Sequence, residues 1–225
     1  ETMEERDCFT AAFDDFVMAE GGLDRLSKLS GDALDPWRKA YWTFAADCGF
    51  VPGSRVFIDK MPLNTVLLPL VAKLFPQAKI LFALRDPRDV VLSCFRRRFG
   101  MSAQMYELLT LEGAARYYDA AMTLGEIYRG LFALDTHVLK YEDMVGDFEG
   151  ETRKVCAFLG LEWDEGMRGF AEKTRARAVN TPSAAQVARG LYSQGAGQWR
   201  AYRRELEPVL PLLKPWCGKF GYEEE

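Results

Sequence analysis

Histidine is nearly missing from this sequence, which contains only His137. One imidazole cannot build a zinc site, and the five cysteines are scattered without any CxxC spacing. The sequence therefore predicts no metal site, and it favours free thiols in a reducing compartment. His137 stands just before the apolar part of a predicted strand, where a structural histidine is more common than a general base.

A basic excess, a long apolar run and a signal sequence are missing as well. The chain has 29 Lys and Arg against 33 Asp and Glu, a net charge of −4, so no basic field favours nucleic acid. No apolar run approaches the ~20 residues that a membrane-spanning helix needs, and the acidic N-terminus does not have the pattern of a signal peptide. We therefore expect neither nucleic acid nor membrane as a partner, a cytoplasmic location, and any anion site to be a local cluster.

The apolar patterning predicts a single α/β domain over residues 1–225. Residues 1–50 form its helical first part, with aromatic stripes at helical spacing. Residues 55–174 form a core in which helices flank a parallel sheet, residues 175–197 an irregular segment, and residues 198–225 a C-terminal helix and tail. The predicted strands are Arg55–Ile58, Lys79–Leu84 and His137–Lys140.

One stretch, Leu74–Phe99, joins a strand, a charged turn and a helix. Asp86 is placed to cap the helix and Pro87 to occupy its first position. Arg85 closes the strand, and Ser93 and Arg97 fall on one helix face at i, i+4 spacing. Since a helix N-terminus at a strand end commonly holds an anion, the stretch predicts a phosphate clamp. The alternative is that Arg85 pairs with a carboxylate and that Arg96–Arg98 is a solvated helix end.

Two further strand ends carry candidate ligand-binding side chains. Lys60 follows the first predicted strand, and Tyr141 follows the third. The carboxyl edge of a sheet is where open α/β proteins bind ligands, so both residues could meet the same anion. A surface ion pair for Lys60 and simple packing for Tyr141 are the alternatives.

These residues, taken in order, resemble the sulfotransferases that use 3′-phosphoadenosine 5′-phosphosulfate (PAPS). The similar branch contains tyrosylprotein sulfotransferases and bacterial enzymes often fused to tetratricopeptide repeats. The resemblance covers about Arg55 to Tyr222. The matching blocks are Asp59-Lys60-Met61-Pro62, Arg85-Asp86-Pro87 with Ser93 and Arg97, Tyr141-Glu142-Asp143, Phe158 to Trp163, and Ser183 followed by Gly197-Gln198-Trp199.

The resemblance implies a P-loop-NTPase-like fold and a role for each matched residue. Arg85, Ser93 and Arg97 would hold the 3′-phosphate of the donor, with Tyr141 beside the adenine. Lys60 and Ser183 would contact the bridging and sulfonyl oxygens, where negative charge grows during transfer. A glutamate would serve as the base, and residues 175–197 would form a lid. The implied acceptor is a hydroxyl of tyrosine or carbohydrate, and a homodimer or an upstream repeat fusion is conceivable.

The sequence departs from the family pattern at its beginning. The P-R-S-G-T-T-like turn that grips the 5′-phosphate is missing, so we expect the chain to begin after that block, and the sheet to lack a strand. Glu1 would then occupy the position of the general base, with Glu4 or Glu5 as alternatives. We expect weak PAPS binding and no turnover by this chain alone. A non-catalytic binding module and an ATP-dependent kinase-like relative remain alternatives, although no G-x-x-x-x-G-K-[ST] motif supports the latter.

Overall fold

The protein is a helix-rich α/β structure with a two-stranded parallel sheet. This computed structural model describes residues 5–51, 53, 56–97, 99–100, 102–172, 190 and 193–222. Strand β1 is Lys79–Leu84, and it pairs with β2, Asp135–Lys140. The predicted α/β class is therefore confirmed. Both strands end where the sequence places charged or aromatic side chains.

The chain separates into two packing units, and the first comprises residues up to Ala78 together with Thr123–Asp135. Its helical segments begin with α1 and pass into a π-helical turn, which widens the helix around Phe16. The bounds are α1 Thr10–Phe13, the π-helical turn Asp14–Met18, α2 Gly22–Lys28, a 3-10 helix Gly31–Leu34, α3 Asp35–Asp47, a 3-10 helix Pro62–Leu67 and α4 Leu68–Leu74.

The core of the first unit is largely aromatic. Tyr41 contacts three rings, at centroid distances of 4.9 Å to Phe9, 5.1 Å to Trp42 and 4.7 Å to Phe75. Tilted and edge-on aromatic pairs add to the free energy gained from burial alone. Phe9, Phe16 and Tyr41 of the aromatic stripes are thus core residues, whereas Phe44 is 38% exposed.

The second unit comprises Lys79–Met122 and the residues from Thr136 onward, and it holds both strand ends. Its bounds are α5 Pro87–Arg96, α6 Ala103–Tyr106, a 3-10 helix Glu107–Leu109, α7 Leu111–Leu131 (whose last residues belong to the first unit), α8 Tyr141–Gly146, α9 Phe148–Leu159, 3-10 helices Glu165–Met167, Ser193–Gly195 and Gln198–Tyr202, α10 Arg203–Leu206 and α11 Leu210–Phe220.

Two apolar clusters hold the second unit together. Phe82 and Leu84 of β1 pack with Trp216 and Phe220 of α11. A second cluster joins α5 to the C-terminal helices through Val91, Leu92, Leu108, Ala114, Ala115, Trp199, Leu206, Val209 and Leu213. Trp199 is 1% exposed and is the largest fully buried side chain described. The segment that begins at Gly197 is therefore anchored in the core next to α5.

Several predicted elements differ from the observed ones. Of the predicted strand Arg55–Ile58, Arg55 lies outside the described residues, and only Ile58 has the backbone pairing of a strand. Strand β1 is buried on one face only, because Lys79 and Ala83 are exposed. The single-domain prediction and its subdivisions stay predictions.

Proline explains two of these differences. The helix predicted over Leu63–Leu74 is a 3-10 helix followed by α4, and Pro69 lies in the first turn of α4. The single last helix predicted at Glu205–Leu213 is instead α10 and α11, separated at Pro208. Since proline has no amide hydrogen and clashes with the preceding turn, each helix restarts there.

Candidate functional site

The strand–turn–helix stretch forms as the sequence predicts, with Asp86 at its corner. Asp86 accepts a hydrogen bond from the backbone N–H of Arg88 at 2.9 Å, and Pro87 occupies the first turn of α5. The same carboxylate binds the Arg88 guanidinium through Nε at 2.9 Å and Nη2 at 2.7 Å. Both side chains are buried, and Arg88 also stacks 3.8 Å from the ring of Trp199. The turn is thus rigidly built.

Glu142 ties this turn to the end of β2. One of its carboxylate oxygens accepts from the backbone N–H of Asp86 at 3.1 Å, and the other accepts from the Tyr222 hydroxyl at 2.8 Å. Burial and this hydrogen bond both raise the pKa of Tyr222, so the hydroxyl stays protonated and donates. The Tyr141-Glu142-Asp143 block therefore braces the turn that follows β1.

Arg85 emerges from this corner with a partly satisfied guanidinium. Its Nη2 donates to the carbonyl oxygen of Gly195, and its Cζ lies 5.2 Å from the ring centroid of Tyr141. Its Nε is buried and makes no hydrogen bond within the described part of the chain. A buried donor without a hydrogen bond costs free energy, so the Nε of Arg85 is a candidate contact for a ligand.

Of the two other predicted phosphate ligands, Ser93 lies within α5, whereas Arg97 lies just beyond its end. Helix α5 ends at Arg96, and Arg97 is the C-cap residue with extended backbone angles, φ −86° and ψ 147°. The prediction that Ser93 and Arg97 share a helix face is therefore wrong. The reason is that the helix closes one residue earlier, and the backbone N–H of Arg97 donates to the carbonyl oxygen of Cys94 at 3.2 Å.

The charges of Arg85 and Arg97 nevertheless both act on Cys94, the neighbour of Ser93. Burial raises the pKa of the Cys94 thiol, while the charges of Arg85 and Arg97 both oppose that rise. Both guanidinium groups are therefore close enough to act on the same sulfur. Arg85, Ser93, Arg97 and Tyr141 form what we call the arginine cluster of the second unit.

Two carboxylates of the protein lie at the N-terminus of α5; the sequence predicts the cap at Asp86 but not the contacts of Asp89. Asp86 takes the first free amide, and Asp89 follows in the first turn. Asp89 is 1% exposed and accepts from the backbone N–H groups of Gly197 at 2.6 Å and Trp199 at 2.8 Å. Asp86 therefore occupies the Arg88 amide, and Asp89 adds negative charge at this end of α5.

Asp89 is a functional candidate that the sequence reasoning missed. Burial raises the pKa of its carboxyl group, and the two amides and the charge of Arg85 act in the opposite direction. A charged residue among the apolar positions of α5, followed far downstream by a Gly-x-Trp segment, is the only signal the sequence offers.

Lys60 belongs to the first unit, and its ammonium pairs with the carboxylate of Glu5. The half-exposed ion pair that the sequence left as an alternative is thus present, with Glu5 as the partner. The preceding residue, Asp59, accepts hydrogen bonds from the Tyr41 hydroxyl at 2.8 Å and from Asn64 Nδ2 at 3.2 Å. Burial raises the pKa of Asp59, and both hydrogen bonds oppose the rise.

Two predicted catalytic residues, Glu1 and Ser183, lie outside the described residues, as does most of the predicted lid. Among the described residues, no group of three or more side chains is arranged to hold a metal ion. The helices described include none that is both long and apolar enough for a bilayer.

The fold is thus an α/β fold with a charged strand–turn–helix corner and two arginines close to it. The model of the sulfotransferase family matches residues 6–165, which is more than half of the sequence. The chain belongs to the sulfotransferase family.

Individual relatives agree with this assignment. An uncharacterized protein of Aquifex aeolicus is 28% identical over 161 residues, which is 70% of this chain and 20% of that protein. The omega-hydroxy-beta-dihydromenaquinone-9 sulfotransferase Stf3 of Mycobacterium bovis is 26% identical over 142 residues, 60% of this chain and 36% of its own length. The chain thus spans well under half the length of these curated relatives.

Solved structures show the same fold. The sulfotransferase domain of the curacin biosynthetic pathway matches with a TM-score of 0.60 at 14% identity, covering 96% of this chain and 79% of that domain. The sulfotransferase domain of the Synechococcus PCC 7002 olefin synthase matches with a TM-score of 0.57 at 20% identity, covering 96% and 76%.

Proposed function

We propose that this chain binds PAPS for transfer of its sulfuryl group to a hydroxyl acceptor, with weak binding and no turnover expected of the chain alone. The observation that carries the proposal is Arg85, whose buried Nε has no partner among the described residues while Nη2 and the Tyr141 ring fix its orientation. A doubly charged phosphate accepts hydrogen bonds from a guanidinium in this geometry. We assign the 3′-phosphate of the donor to Arg85, Ser93 and Arg97, and the adenine to the neighbourhood of Tyr141.

The chemistry assigns complementary tasks to Lys60 and Ser183. In the transfer, the bond between sulfur and the departing phosphate oxygen breaks as the acceptor oxygen bonds to sulfur. The ammonium of Lys60 would neutralise the departing oxygen, and Ser183 would donate to it, which stabilises the transition state. The products are a sulfate ester and 3′-phosphoadenosine 5′-phosphate.

The proton of the acceptor hydroxyl requires a base. Glu1 is our sequence-based candidate for this role. Glu5 is the stronger alternative among the described residues, because its carboxylate contacts the ammonium of Lys60. A glutamate so placed would take the proton within reach of the group that stabilises the leaving oxygen.

The acceptor remains a tyrosine or carbohydrate hydroxyl in our proposal, and the mycobacterial relatives add a third class to be tested. Their name gives an omega-hydroxylated menaquinone as acceptor. Incubating the chain with ³⁵S-labelled PAPS and a tyrosine peptide, an oligosaccharide or a hydroxylated isoprenoid quinone would distinguish these classes.

Calorimetric titration with 3′-phosphoadenosine 5′-phosphate tests the donor. The native chain should bind it in preference to ATP, and Arg85→Met should weaken binding by about tenfold to a hundredfold, the worth of a charge-assisted contact. Arg116→Met is the matched control, because Arg116 is exposed and its guanidinium lies 3.7 Å from Glu107. Equal affinity for ATP, or no effect of Arg85→Met, would refute the donor assignment.

Binding without turnover is the second candidate, and the Lys60–Glu5 ion pair favours it, since it neutralises the ammonium. A chain that binds the nucleotide but transfers no label to any acceptor would be a binding module of the sulfotransferase fold. Glu5→Gln separates the cases, because it should abolish transfer if Glu5 is the base and leave nucleotide binding intact.

A further inference from the structure

Asp89 is the most deeply buried carboxylate described, and nothing in the proposed reaction uses it. It is 1% exposed, and its oxygens accept from the N–H groups of Gly197 at 2.6 Å and Trp199 at 2.8 Å. Burying a carboxylate without a cationic partner in contact is costly unless hydrogen bonds satisfy it. Its two contacts lie 108 and 110 residues further along the chain, so they secure a distant segment.

The position of Asp89 lets one carboxylate serve the N-termini of two helices. It lies in the first turn of α5, where negative charge is favoured. It also accepts from the first amides of the 3-10 helix Gln198–Tyr202, whose own cap residue, Gly197, supplies no side chain. Gly197 has φ +72°, a left-handed conformation that glycine adopts readily. Asp89 thus acts as the missing cap of the second helix.

The segment that Asp89 holds reaches the arginine cluster directly. Gly195, two residues before Gly197, accepts the hydrogen bond from Arg85 through its carbonyl oxygen. A Cβ at Gly195 would lie 2.5 Å from the hydroxyl oxygen of Tyr141, so this backbone passes close against the tyrosine. Any displacement of the segment would therefore release Arg85 and open the contact with Tyr141.

We infer that Asp89 is a positioning residue of the donor site, acting through the backbone of residues 195–199. It holds the Gly195 carbonyl where it orients the Arg85 guanidinium, and so keeps Nε turned towards the phosphate of a bound nucleotide. The role rests on the proposed function in assigning the 3′-phosphate to Arg85. Asp89 would thus contribute to recognition of the 3′-phosphate although it contacts no ligand itself.

The Asp89→Asn variant tests this role because it keeps the shape of the side chain and removes its charge and one acceptor. Hydrogen exchange at the amides of Gly197 and Trp199 should become faster. Affinity for 3′-phosphoadenosine 5′-phosphate should fall by about tenfold, the worth of one charge-assisted contact. Affinity for adenosine 5′-phosphate, which has no 3′-phosphate, should stay unchanged. A residue that merely stabilised the fold would weaken both nucleotides alike.

Two controls make the outcome decisive. Asp164→Asn alters an exposed aspartate that accepts from the Gly166 N–H at 2.7 Å, and it should change neither affinity. The double variant Asp89→Asn with Arg85→Met should bind no more weakly than Arg85→Met alone, because the aspartate acts through the arginine. Additive losses, or equal losses for both nucleotides, would overturn the positioning role.

The failure of this inference can be told apart from failure of the proposed function. No binding of 3′-phosphoadenosine 5′-phosphate by the native chain overturns the proposed donor, and amide exchange in Asp89→Asn still decides whether the carboxylate holds the segment. If Asp89→Asn does not fold, Gly195→Ala displaces the same backbone through the clash with Tyr141. It should give the same loss of 3′-phosphate preference, and an unchanged preference would overturn the role.

Discussion

A guanidinium and a carboxylate buried side by side, Arg88 and Asp86, illustrate how a single residue can control this fold. Burial alone disfavours the charged Arg88, but the hydrogen bond and charge of Asp86 more than compensate, and the pKa of Arg88 is raised. Removing either partner would leave a buried charge without its counterion. Such a loss is far more costly than losing an exposed pair.

We predict that Asp86→Ala lowers the free energy of unfolding by about 3 kcal/mol or more, because it strands Arg88 and removes the cap of α5. Urea denaturation would measure the change. Asp147→Ala is the matched control, since Asp147 also caps a helix but accepts the Gly150 N–H at 2.8 Å in an exposed setting. It should cost about 1 kcal/mol. Equal losses in the two variants would contradict the argument.

The thiols of the first unit provide a second test at the scale of the residue. Burial, with smaller contributions from Asp59 and other neighbours, raises the pKa of Cys8 from 9.0 to about 12, whereas Cys48 is exposed. Because the thiolate is the reactive form, iodoacetamide at pH 8 should alkylate Cys48 and spare Cys8. Peptide mass spectrometry would show this, with both residues labelled in denaturant as the control. Rapid labelling of Cys8 in the native chain would refute its burial.

The raised pKa of Cys8 also sets the direction of a pH effect. The folded state favours the neutral thiol, so the stabilisation from this group is complete below about pH 9, the ordinary thiol value. It is lost as the pH rises towards about 12.

At the scale of the elements, the turn that carries Lys60 receives a hydrogen bond from Tyr41 of α3, whose hydroxyl donates to Asp59. Tyr41→Phe should keep the aromatic packing and remove the hydrogen bond to Asp59, at a cost of about 1–2 kcal/mol in unfolding free energy. If Lys60 acts in transfer, turnover should fall while nucleotide affinity is unchanged. Tyr117→Phe is the control, since its hydroxyl makes no hydrogen bond to a described residue. Equal losses from both variants would argue against a role for the Asp59 contact.

The elements also show what the sequence could predict. Strands β1 and β2, the cap at Asp86 and the bounds of α9 all follow from local signals: apolar runs, Asp-Pro, and Gly160 as the stop. The assignment of Arg85, Ser93, Arg97 and Tyr141 to the donor stays a prediction from the family blocks. The remaining features do not follow from such signals. Whether Arg97 continues α5, and which segment Asp89 binds, depend on backbone geometry that no local pattern specifies.

At the scale of the whole molecule, the proposed function requires an acidic protein to attract an acidic nucleotide. With a net charge of −4, the long-range field repels such a ligand, and the short-range field of the arginine cluster attracts it. At 0.1 M ionic strength, charges beyond about 10 Å are largely screened, so the cluster should dominate.

We therefore predict that affinity for 3′-phosphoadenosine 5′-phosphate falls by a few-fold as salt rises from about 50 to about 500 mM, as expected for screened contacts. Titrations at several salt concentrations would measure the slope. Arg85→Met should make the slope shallower, whereas Arg116→Met should leave it unchanged. Affinity that increases with salt would mean that the acidic surface, rather than the arginine cluster, controls binding.

The close approach of Tyr141 to Gly195 has a consequence for evolution. A side chain at position 195 would meet the tyrosine hydroxyl, so a residue larger than glycine there requires either a smaller residue at 141 or a shift of the backbone that orients Arg85. Since residues in contact tend to covary, homologues that have a residue larger than glycine at 195 should have a smaller ring or none at 141. Those homologues should also have reorganised their recognition of the nucleotide, which makes this pair of positions a marker for divergent donor sites.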